Sequence, residues 1–158
     1  MKALITGATS GIGREMAKIL AVRGVDLIIA SRDEKKMKSL AKRLPVAVRT
    51  IAVDLSKAED CYRLYDAVKA EGIDILINNA GFGAYGATWD VPLETELNML
   101  DLNVRAVQIL TKLFLADFRK RGSGRILNVA SSAGFLAGPL MSGYYATKGY
   151  VLRLSEAI

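Results

Sequence analysis

The side chains with the clearest capacity for chemistry in this chain are Tyr144 and Lys148. They stand four residues apart in a segment that predicts a helix beginning near Ser142, so both project from one face of that helix. A free tyrosine has a pKa of about 10, which is too high for ready proton transfer near neutrality. A neighbouring ammonium group favours the phenolate and lowers that pKa. The pair therefore predicts a tyrosine that acts as a general acid or base beside a lysine.

Three further polar patterns precede this pair. The segment Asn78-Asn79-Ala80-Gly81 follows a predicted strand, Asn103 lies within a long predicted helix, and Ser131 ends another predicted strand. All except Asn103 fall at or beside the carboxyl end of a strand, which is where doubly wound parallel sheets bind their ligands. We therefore expect these residues to gather at one edge of a sheet.

The elements that must position these residues alternate between strand and helix. Five short and mainly apolar runs, without strict alternation, predict strands that are buried on both faces. They are Leu4–Ile5, Val25–Ala30, Val48–Val53, Ile73–Ile77 and Ile126–Ala130. Helical spacing appears between them, in Ile12, Met16, Ile19 and Leu20, in Tyr62, Tyr65 and Val68 with Leu64 beside them, and from Leu97 to Leu110.

This alternation predicts an α/β fold. Strands separated by helices imply right-handed crossovers and a parallel sheet that is covered on both sides. The chain shows no internal repeat, low-complexity tract or linker, so we predict a single Rossmann-like, doubly wound domain over residues 1–158.

A glycine-rich turn follows the first predicted strand. Residues Thr6 to Gly13 lead into a predicted helix inside a βαβ unit, which is the context that a phosphate-binding loop requires. Glycine leaves room for a ligand to approach the backbone, and the free amides and positive dipole end of a helix favour a pyrophosphate. The alternative is a tight turn without a ligand. The loop predicts dinucleotide binding by Gly7, Thr9, Ser10, Gly11, Ile12 and Gly13.

The end of the second predicted strand indicates which dinucleotide binds. Dinucleotide-binding folds place an acidic residue about 20 positions beyond the loop, on the ribose 2′-hydroxyl. Here Ser31 and Arg32 occupy that place, and Asp33 stands where it can cap the next helix. A carboxylate would repel a 2′-phosphate, whereas Arg32 can hold it with two hydrogen bonds. The alternative is that Arg32 only begins a basic helix face. We predict a preference for NADP, with NAD as a possible cofactor.

Taken in order, these motifs resemble the short-chain dehydrogenase/reductase family in its common, non-extended form. The glycine loop, the Asn-Asn-Ala-Gly segment, the serine and the Tyr-x-x-x-Lys pair carry the resemblance along the whole chain. It implies a catalytic set of Asn103, Ser131, Tyr144 and Lys148. Ser131, unlike Ser132, stands thirteen residues before Tyr144 and three before Gly134. Tyr144, unlike Tyr145, stands four residues before Lys148.

The resemblance also implies a role for each of these side chains. Tyr144 exchanges a proton with the substrate oxygen, to which Ser131 donates a hydrogen bond. Lys148 lowers the pKa of the tyrosine and binds the nicotinamide ribose, and Asn103 holds a water that links Lys148 to solvent. The implied activity is the interconversion of an alcohol and an aldehyde or ketone with NADP, by an oxidoreductase that forms a homodimer or homotetramer through its long helices.

Further cofactor contacts follow from the same resemblance. Asp54 and Leu55 are similar to the family's adenine-binding pair. Asn79, Ala80 and Gly81 are similar to the segment that lines the cofactor, although Asn79 can equally serve only to tie a turn together. The resemblance implies the strand order 3-2-1-4-5.

The family's chain continues beyond the Tyr-x-x-x-Lys pair with two more strands, a helix and a substrate loop. We therefore expect these 158 residues to lack the family's last two strands and to represent part of a longer enzyme. The alternative is an inactive dinucleotide-binding fragment or regulator. Five apolar side chains form either a wall near the site or parts of the core and of subunit contacts: Phe82, Tyr85, Trp89, Phe135 and Leu136.

Composition argues against several other classes of function. The net charge is +6, but the basic stretch from Arg32 to Arg43 also carries Met37 and Leu40 at helical spacing. It therefore predicts the solvated face of an amphipathic helix rather than a nucleic-acid surface. The chain has no histidine and one cysteine, Cys61, which excludes a Cys/His zinc site and an intrachain disulfide. It has no apolar run of about eighteen residues and no signal-peptide pattern. We predict a cytoplasmic protein with a small-molecule substrate, no metal and no membrane or nucleic-acid partner.

Overall fold

Five parallel strands form one sheet at the centre of the protein. The computed structural model describes residues 1–158, with strands β1 (Lys2–Thr6), β2 (Asp26–Ser31), β3 (Val48–Ala52), β4 (Ile75–Asn78) and β5 (Arg125–Asn128). Neighbouring strands run parallel, in the order β3-β2-β1-β4-β5. The predicted fold class and strand order are confirmed. The carboxyl ends of all five strands therefore lie at one edge of the sheet.

Six α-helices surround the sheet: α1 (Gly11–Val22), α2 (Glu34–Ala41), α3 (Ala58–Val68), α4 (Leu93–Leu100), α5 (Ala106–Arg121) and α6 (Ser142–Ala157). Short 3₁₀ helices cover Lys69–Glu71 and Ser132–Phe135. A π-helical turn, Asp101–Arg105, joins α4 to α5, and the residues on either side of it keep helical backbone angles. The long predicted helix is therefore present, but one of its turns, around Asn103, is a wider π-helical turn.

The two faces of the sheet bury separate cores. On one face Leu4, Ile28 and Leu76 pack with α3 and α5, around the fully buried Phe114. On the other face Ile5 and Ile29 pack with α1 and α2. Because successive strand residues point to opposite faces, apolar runs without alternation give cores on both sides. This arrangement is the physical basis of the doubly wound fold that the sequence predicts.

Two helices bury a different face from the one that their large apolar residues suggest. In α1 the residues against the sheet include the small Gly13, Ala17 and Ala21, whereas Ile12 and Ile19 are 60% and 53% exposed. Small residues let the helix approach the sheet closely, and the large residues at the edge of that face then reach solvent. In α3 the buried face is formed by Cys61, Leu64 and Val68, while Tyr62 is exposed.

No helix of this fold combines the length and the apolar character needed to cross a membrane. The basic stretch predicted as an amphipathic helix forms α2, with Met37 and Leu40 buried and its lysines exposed.

We expect Phe114→Ala to lower the free energy of unfolding by about 3–5 kcal/mol, because it removes a fully buried ring. That ring packs edge-on against Tyr65 and at a tilt against Phe118. The measurement is urea denaturation followed by circular dichroism. Leu115→Ala is the matched control on the outer face of α5, where the side chain is 40% exposed, and it should cost less than about 1 kcal/mol. Equal losses in the two variants would contradict the assigned core.

Candidate active site

A cleft of about 680 Å³ runs along the carboxyl ends of the strands. Most of the residues that the sequence analysis assigns to a site line it together: Gly7, Thr9, Ser10, Gly11, Ile12, Ser31, Arg32, Asp54, Leu55, Asn79, Ala80, Gly81, Tyr144 and Lys148. Gly13, Asn103 and Ser131 are not among the lining residues. The volume is in the range of ordinary ligand sites, which run from about 300 to 1,000 Å³.

The glycine loop brings two segments of backbone into contact beside the cleft. Gly7 has a φ of +68°, and a Cβ there would lie 2.8 Å from the Cα of Ala80. A Cβ on Gly13 would overlap the side-chain amide nitrogen of Asn79. Both positions therefore require glycine for space, and Gly7 also requires it for its backbone angle. Gly13 thus acts behind the cleft wall rather than on its surface.

The amino-terminal end of α1 opens into this cleft. Its N-cap, Ser10, has extended backbone, and its side chain makes no capping hydrogen bond. The first turn of the helix carries no acidic residue. The first amides of a helix lack partners within the helix and carry the positive end of its dipole. This end of the cleft can therefore bind an anion through backbone groups.

Thr6 and Asn79 fasten the ends of β1 and β4 to each other. The Thr6 hydroxyl oxygen accepts from the amides of Asn79 and Ala80, both at 3.0 Å. The Asn79 side chain donates to the carbonyl oxygens of Thr6 at 3.0 Å and Gly7 at 3.1 Å. Asn79 thus ties the turn together and also lines the cleft, so its structural role is present alongside the predicted one. The position of Thr6 at the start of the glycine loop did not predict this role in joining the strands.

A basic rim borders the cleft where β2 ends. A shallow depression of about 640 Å³ is lined by Thr9, Ser31, Arg32, Asp33, Glu34, Lys35 and Lys36. Asp33 caps α2 as predicted, by accepting from the Lys36 amide at 2.9 Å, and its pKa is lowered chiefly by that bond. The Lys36 ammonium lies 3.2 Å from the other carboxylate oxygen. The other carboxylate of the rim, Glu34, is paired with the Lys38 ammonium at 2.7 Å. With both carboxylates so engaged, the exposed Arg32 guanidinium is available for an anion.

The segment after β3 forms the wall below this rim. The Asp54 carboxylate accepts from the amide and hydroxyl of Ser56, at 3.2 and 2.8 Å, and Leu55 is almost fully buried. The turn is therefore held by its own side chains, with Leu55 as an apolar surface towards the cleft.

Lys148 and Tyr144 close the opposite end of the cleft. The Lys148 side chain is 7% exposed, and its ammonium donates to the carbonyl oxygen of Val129 at 2.8 Å. The nitrogen lies 5.9 Å from the centre of the Tyr144 ring. Burial lowers the pKa of Lys148, because it removes water from the charged form. The structure therefore brings a poorly solvated ammonium beside the phenol, as the i,i+4 spacing predicts.

Ser131 and Asn103, the other two members of the predicted catalytic set, are not among the residues that line the cleft. Strand β5 ends at Asn128, so Ser131 does not end the strand but caps the short helix Ser132–Phe135. Its hydroxyl oxygen accepts from the Ala133 amide at 3.2 Å, which leaves the hydroxyl proton free to donate. Asn103 is buried in the π-helical turn, with its side-chain amide bonded to the backbone of Phe82.

The five apolar side chains that the sequence suggests near the site separate into two groups. Phe82 lines the cleft. Four others are exposed by two thirds or more: Tyr85, Trp89, Phe135 and Leu136. They do not belong to the core, so the open alternatives for them are a substrate wall and a subunit contact. Tyr145 packs its ring over Gly138 and edge-on against Tyr144.

Other cleft residues carry no motif in the sequence. They include Ala30, Val53, Gly83, Leu102, Val129, Ala130 and Met141. Only their position at the ends of strands could have predicted them from the sequence. Ala30 lies near the end of β2, and Val53 and Val129 directly follow β3 and β5. A Cβ on Gly83 would lie 3.0 Å from the Tyr144 ring, so the absence of a side chain at Gly83 leaves room for the ring.

Comparison with known proteins agrees with this geometry. The family model described as short chain dehydrogenase matches residues 1–158. A very-long-chain 3-oxoacyl-CoA reductase from Anas platyrhynchos is 36% identical over 99% of this chain and 53% of its own length. The chain therefore spans about half the length of such curated relatives.

Solved structures of the same type superimpose closely. A bulky-bulky ketone specific alcohol dehydrogenase from Comamonas testosteroni has a TM-score of 0.94 and 37% identity, over 99% of this chain and 64% of that one. A short-chain dehydrogenase from Sphingobium yanoikuyae, solved in complex with NADPH, has a TM-score of 0.94 and 36% identity, over 99% of this chain and 63% of that one.

We expect Lys148→Met to raise the Tm at pH 7 by a few degrees, because the folded protein no longer bears the desolvation of a buried ammonium. In the unfolded chain the lysine pKa is about 10.4. Since the pKa of Lys148 is lower in the folded protein, Lys148 loses its proton in the folded state before it does so in the unfolded chain as pH rises. The destabilisation caused by the buried charge therefore disappears between the folded and the unfolded pKa. The stability difference between variant and wild type should therefore shrink towards pH 10.4.

The measurement is thermal unfolding of both proteins from pH 7 to about pH 10.4. Lys112→Met, at an exposed position of α5, is the control and should leave Tm nearly unchanged across this range. A Lys148→Met variant that is less stable than wild type at pH 7 would show that the bond to Val129 outweighs the desolvation.

Proposed function

The chain belongs to the short chain dehydrogenase family, and we propose that it serves an NADP-dependent oxidoreductase that interconverts an alcohol and an aldehyde or ketone. The observation that carries this proposal is the single cleft that joins two kinds of chemistry. At one end it offers the free amides of α1, and at the other it holds Tyr144 beside the ammonium of Lys148.

The cleft residues fit an extended dinucleotide. Gly7 and Gly13 let the glycine loop pack closely against the Asn79-Ala80 segment, and the uncapped end of α1 suits a pyrophosphate. Leu55 offers an apolar surface for a base near the rim, and Lys148 reaches the far end. When bound, the nicotinamide ring supplies or accepts the hydride.

Tyr144 is the proposed general acid and base. In carbonyl reduction its hydroxyl gives a proton to the substrate oxygen as negative charge develops there, and in alcohol oxidation the phenolate takes that proton. The neighbouring ammonium of Lys148 stabilises the phenolate. Ser131 has a hydroxyl proton to donate to the substrate oxygen, and donors aimed at developing charge lower the barrier. Asn103 is proposed to hold a water next to Lys148.

Arg32 is the proposed ligand of the 2′-phosphate. It is exposed at the basic rim, next to the Thr9 and Ser31 hydroxyls, whose oxygens lie 3.3 Å apart. A guanidinium binds a phosphate with two parallel hydrogen bonds. The nearby Asp33 is directed to the α2 amides and Lys36, which reduces its repulsion of a phosphate. A relative of known structure was solved with NADPH, in agreement with this preference.

Ketones are the proposed first substrate class. Two relatives carry names that refer to ketones, namely the 3-oxoacyl-CoA reductase and the bulky ketone alcohol dehydrogenase. Phe82 and Met141 give the cleft beside Tyr144 an apolar wall that suits such substrates.

A homodimer or homotetramer is part of the proposal. Leu93, Leu97 and Leu100 repeat at positions i, i+4 and i+7 of α4 and are all more than 40% exposed. Such an apolar stripe on a helix is what a subunit contact would cover.

We expect Arg32→Ala to weaken NADPH binding by about 10- to 100-fold and to leave NADH binding nearly unchanged. The reason is that hydrogen bonds to charged groups contribute about 1.5–3 kcal/mol each, and only NADPH carries the 2′-phosphate. The measurement is titration followed by nicotinamide fluorescence. Arg43→Ala, at the exposed carboxyl side of α2, is the control and should not alter either affinity. Equal loss for both cofactors would contradict the assignment.

We expect Tyr144→Phe to lower kcat by at least about 100-fold, because general acid–base groups contribute about 10²–10⁴-fold. NADPH affinity should change by less than about threefold. The assay follows NADPH consumption at 340 nm with a series of ketones, in the full-length protein. Tyr145→Phe is the matched control, since the neighbouring phenol makes no side-chain hydrogen bond in the structure and packs over Gly138. Turnover at the wild-type rate in Tyr144→Phe would contradict the proposal that Tyr144 is the general acid.

A further inference from the structure

Thr147 is a buried hydroxyl residue that stands between Tyr144 and Lys148 in the sequence. It lies in α6 and is 1% exposed. Its hydroxyl donates to the carbonyl oxygen of Tyr144 at 2.7 Å and accepts from the Asn103 side-chain nitrogen at 3.1 Å. The hydroxyl therefore links the turn of α6 that carries Tyr144 to the π-helical turn that carries Asn103.

The Asn103 amide is bonded on both of its edges. Its oxygen accepts from the Phe82 amide at 3.1 Å, and its nitrogen donates to the Phe82 carbonyl at 2.8 Å. The second proton of that nitrogen goes to Thr147. A buried amide needs all of its donors paired. Thr147 thus completes the set of bonds that fixes the orientation of Asn103.

These bonds join three elements at one point of the cleft. Phe82 belongs to the loop after β4, Asn103 to the turn between α4 and α5, and Thr147 to α6. The loop residue next to Phe82 is Gly83, against which the Tyr144 ring is packed, so a Cβ there would lie 3.0 Å from the ring. A shift of Asn103 would therefore move both the backbone of the tyrosine and the surface that supports its ring.

We propose that Thr147 is a positioning residue: its hydroxyl, bonded to Asn103 and to the Tyr144 carbonyl, sets the place of the Tyr144 phenol relative to the loop at Phe82. The proposal rests on the function proposed above, in which Tyr144 transfers a proton. Thr147 touches neither the cleft nor the substrate, and it acts through its two partners. Proton transfer depends steeply on geometry, so that a displacement of about 1 Å can lower a rate by 100-fold.

Two substitutions separate this role from a role in stability. Thr147→Val keeps the shape of the side chain and removes both hydrogen bonds, so the second Asn103 proton is buried without a partner. Thr147→Ser keeps the hydroxyl and leaves a space where the methyl group was. The valine variant should therefore lose activity, whereas the serine variant should lose stability and keep activity.

Thr111→Val is the matched control. Thr111 is also a buried helical threonine whose hydroxyl accepts from an asparagine side chain, that of Asn78, at 3.0 Å. It lies in α5, outside the cleft lining. This variant loses a buried hydroxyl of the same kind and should keep the wild-type kcat.

The first test is steady-state kinetics with a ketone and NADPH in the full chain, with Tm measured for each variant. We expect kcat to fall about 10- to 100-fold in Thr147→Val, with KM for the ketone and Kd for NADPH within about threefold of wild type. Thr147→Ser should retain at least half of the wild-type kcat. Wild-type kcat in the valine variant, or activity that follows Tm across the variants, would overturn the proposal.

The second test is hydrogen exchange of the Phe82 amide, followed by NMR. That amide donates to Asn103, so its exchange should speed up at least about tenfold in Thr147→Val and remain unchanged in Thr147→Ser and Thr111→Val. Unchanged exchange in the valine variant would overturn the proposal. This readout needs no turnover, so a failure of the oxidoreductase function and a failure of the Thr147 proposal give different results.

Discussion

Strands β1 and β4 lie side by side at the centre of the sheet. Beyond their carboxyl ends the two segments diverge, and the core between them must stay covered. Four hydrogen bonds between Thr6 or Gly7 and the Asn79-Ala80 segment hold them together at this point. The backbones approach so closely that Gly7 has no room for a side chain against Ala80. The glycine loop leaves this junction in one direction and the Phe82 loop in the other. Both ends of the cleft are therefore positioned from the same few bonds.

The two ends of the cleft depend on different kinds of interaction. The end at the glycine loop offers backbone amides and the absence of side chains, which the fold itself provides once β1 and α1 are in place. The end at Tyr144 offers side chains, and one of them, Lys148, is only 7% exposed. That charge is kept out of water at a cost to stability, because its site lowers the pKa of Lys148 by desolvation. Groups whose pKa is shifted by burial, such as this ammonium beside a phenol, cluster at functional sites.

Much of this arrangement follows from the sequence because it is local or periodic. The strands, the cap at Asp33 and the shared face of Tyr144 and Lys148 arise from short-range patterns, whereas the strand order is implied by the family resemblance. The buried face of α1 was harder to predict, since Ala17 and Ala21 carry little apolar signal beside Ile12 and Ile19. Close packing of helix on sheet, rather than side-chain size, decides that face. The widened turn at Asn103 also has no local signal, because an α-helical and a π-helical turn suit the same residues.

The widened turn explains why a buried asparagine can serve a site that it does not line. The Asn103 side-chain amide is hydrogen-bonded to both the backbone N–H and the carbonyl oxygen of Phe82, and it thereby attaches the loop after β4 to the π-helical turn. That pairing leaves one amide proton, and the only side chain that receives it is Thr147. Loop, turn and helix α6 thus become one unit at the catalytic end. The tyrosine hydroxyl itself remains free of side-chain partners and is available to a substrate in the cleft.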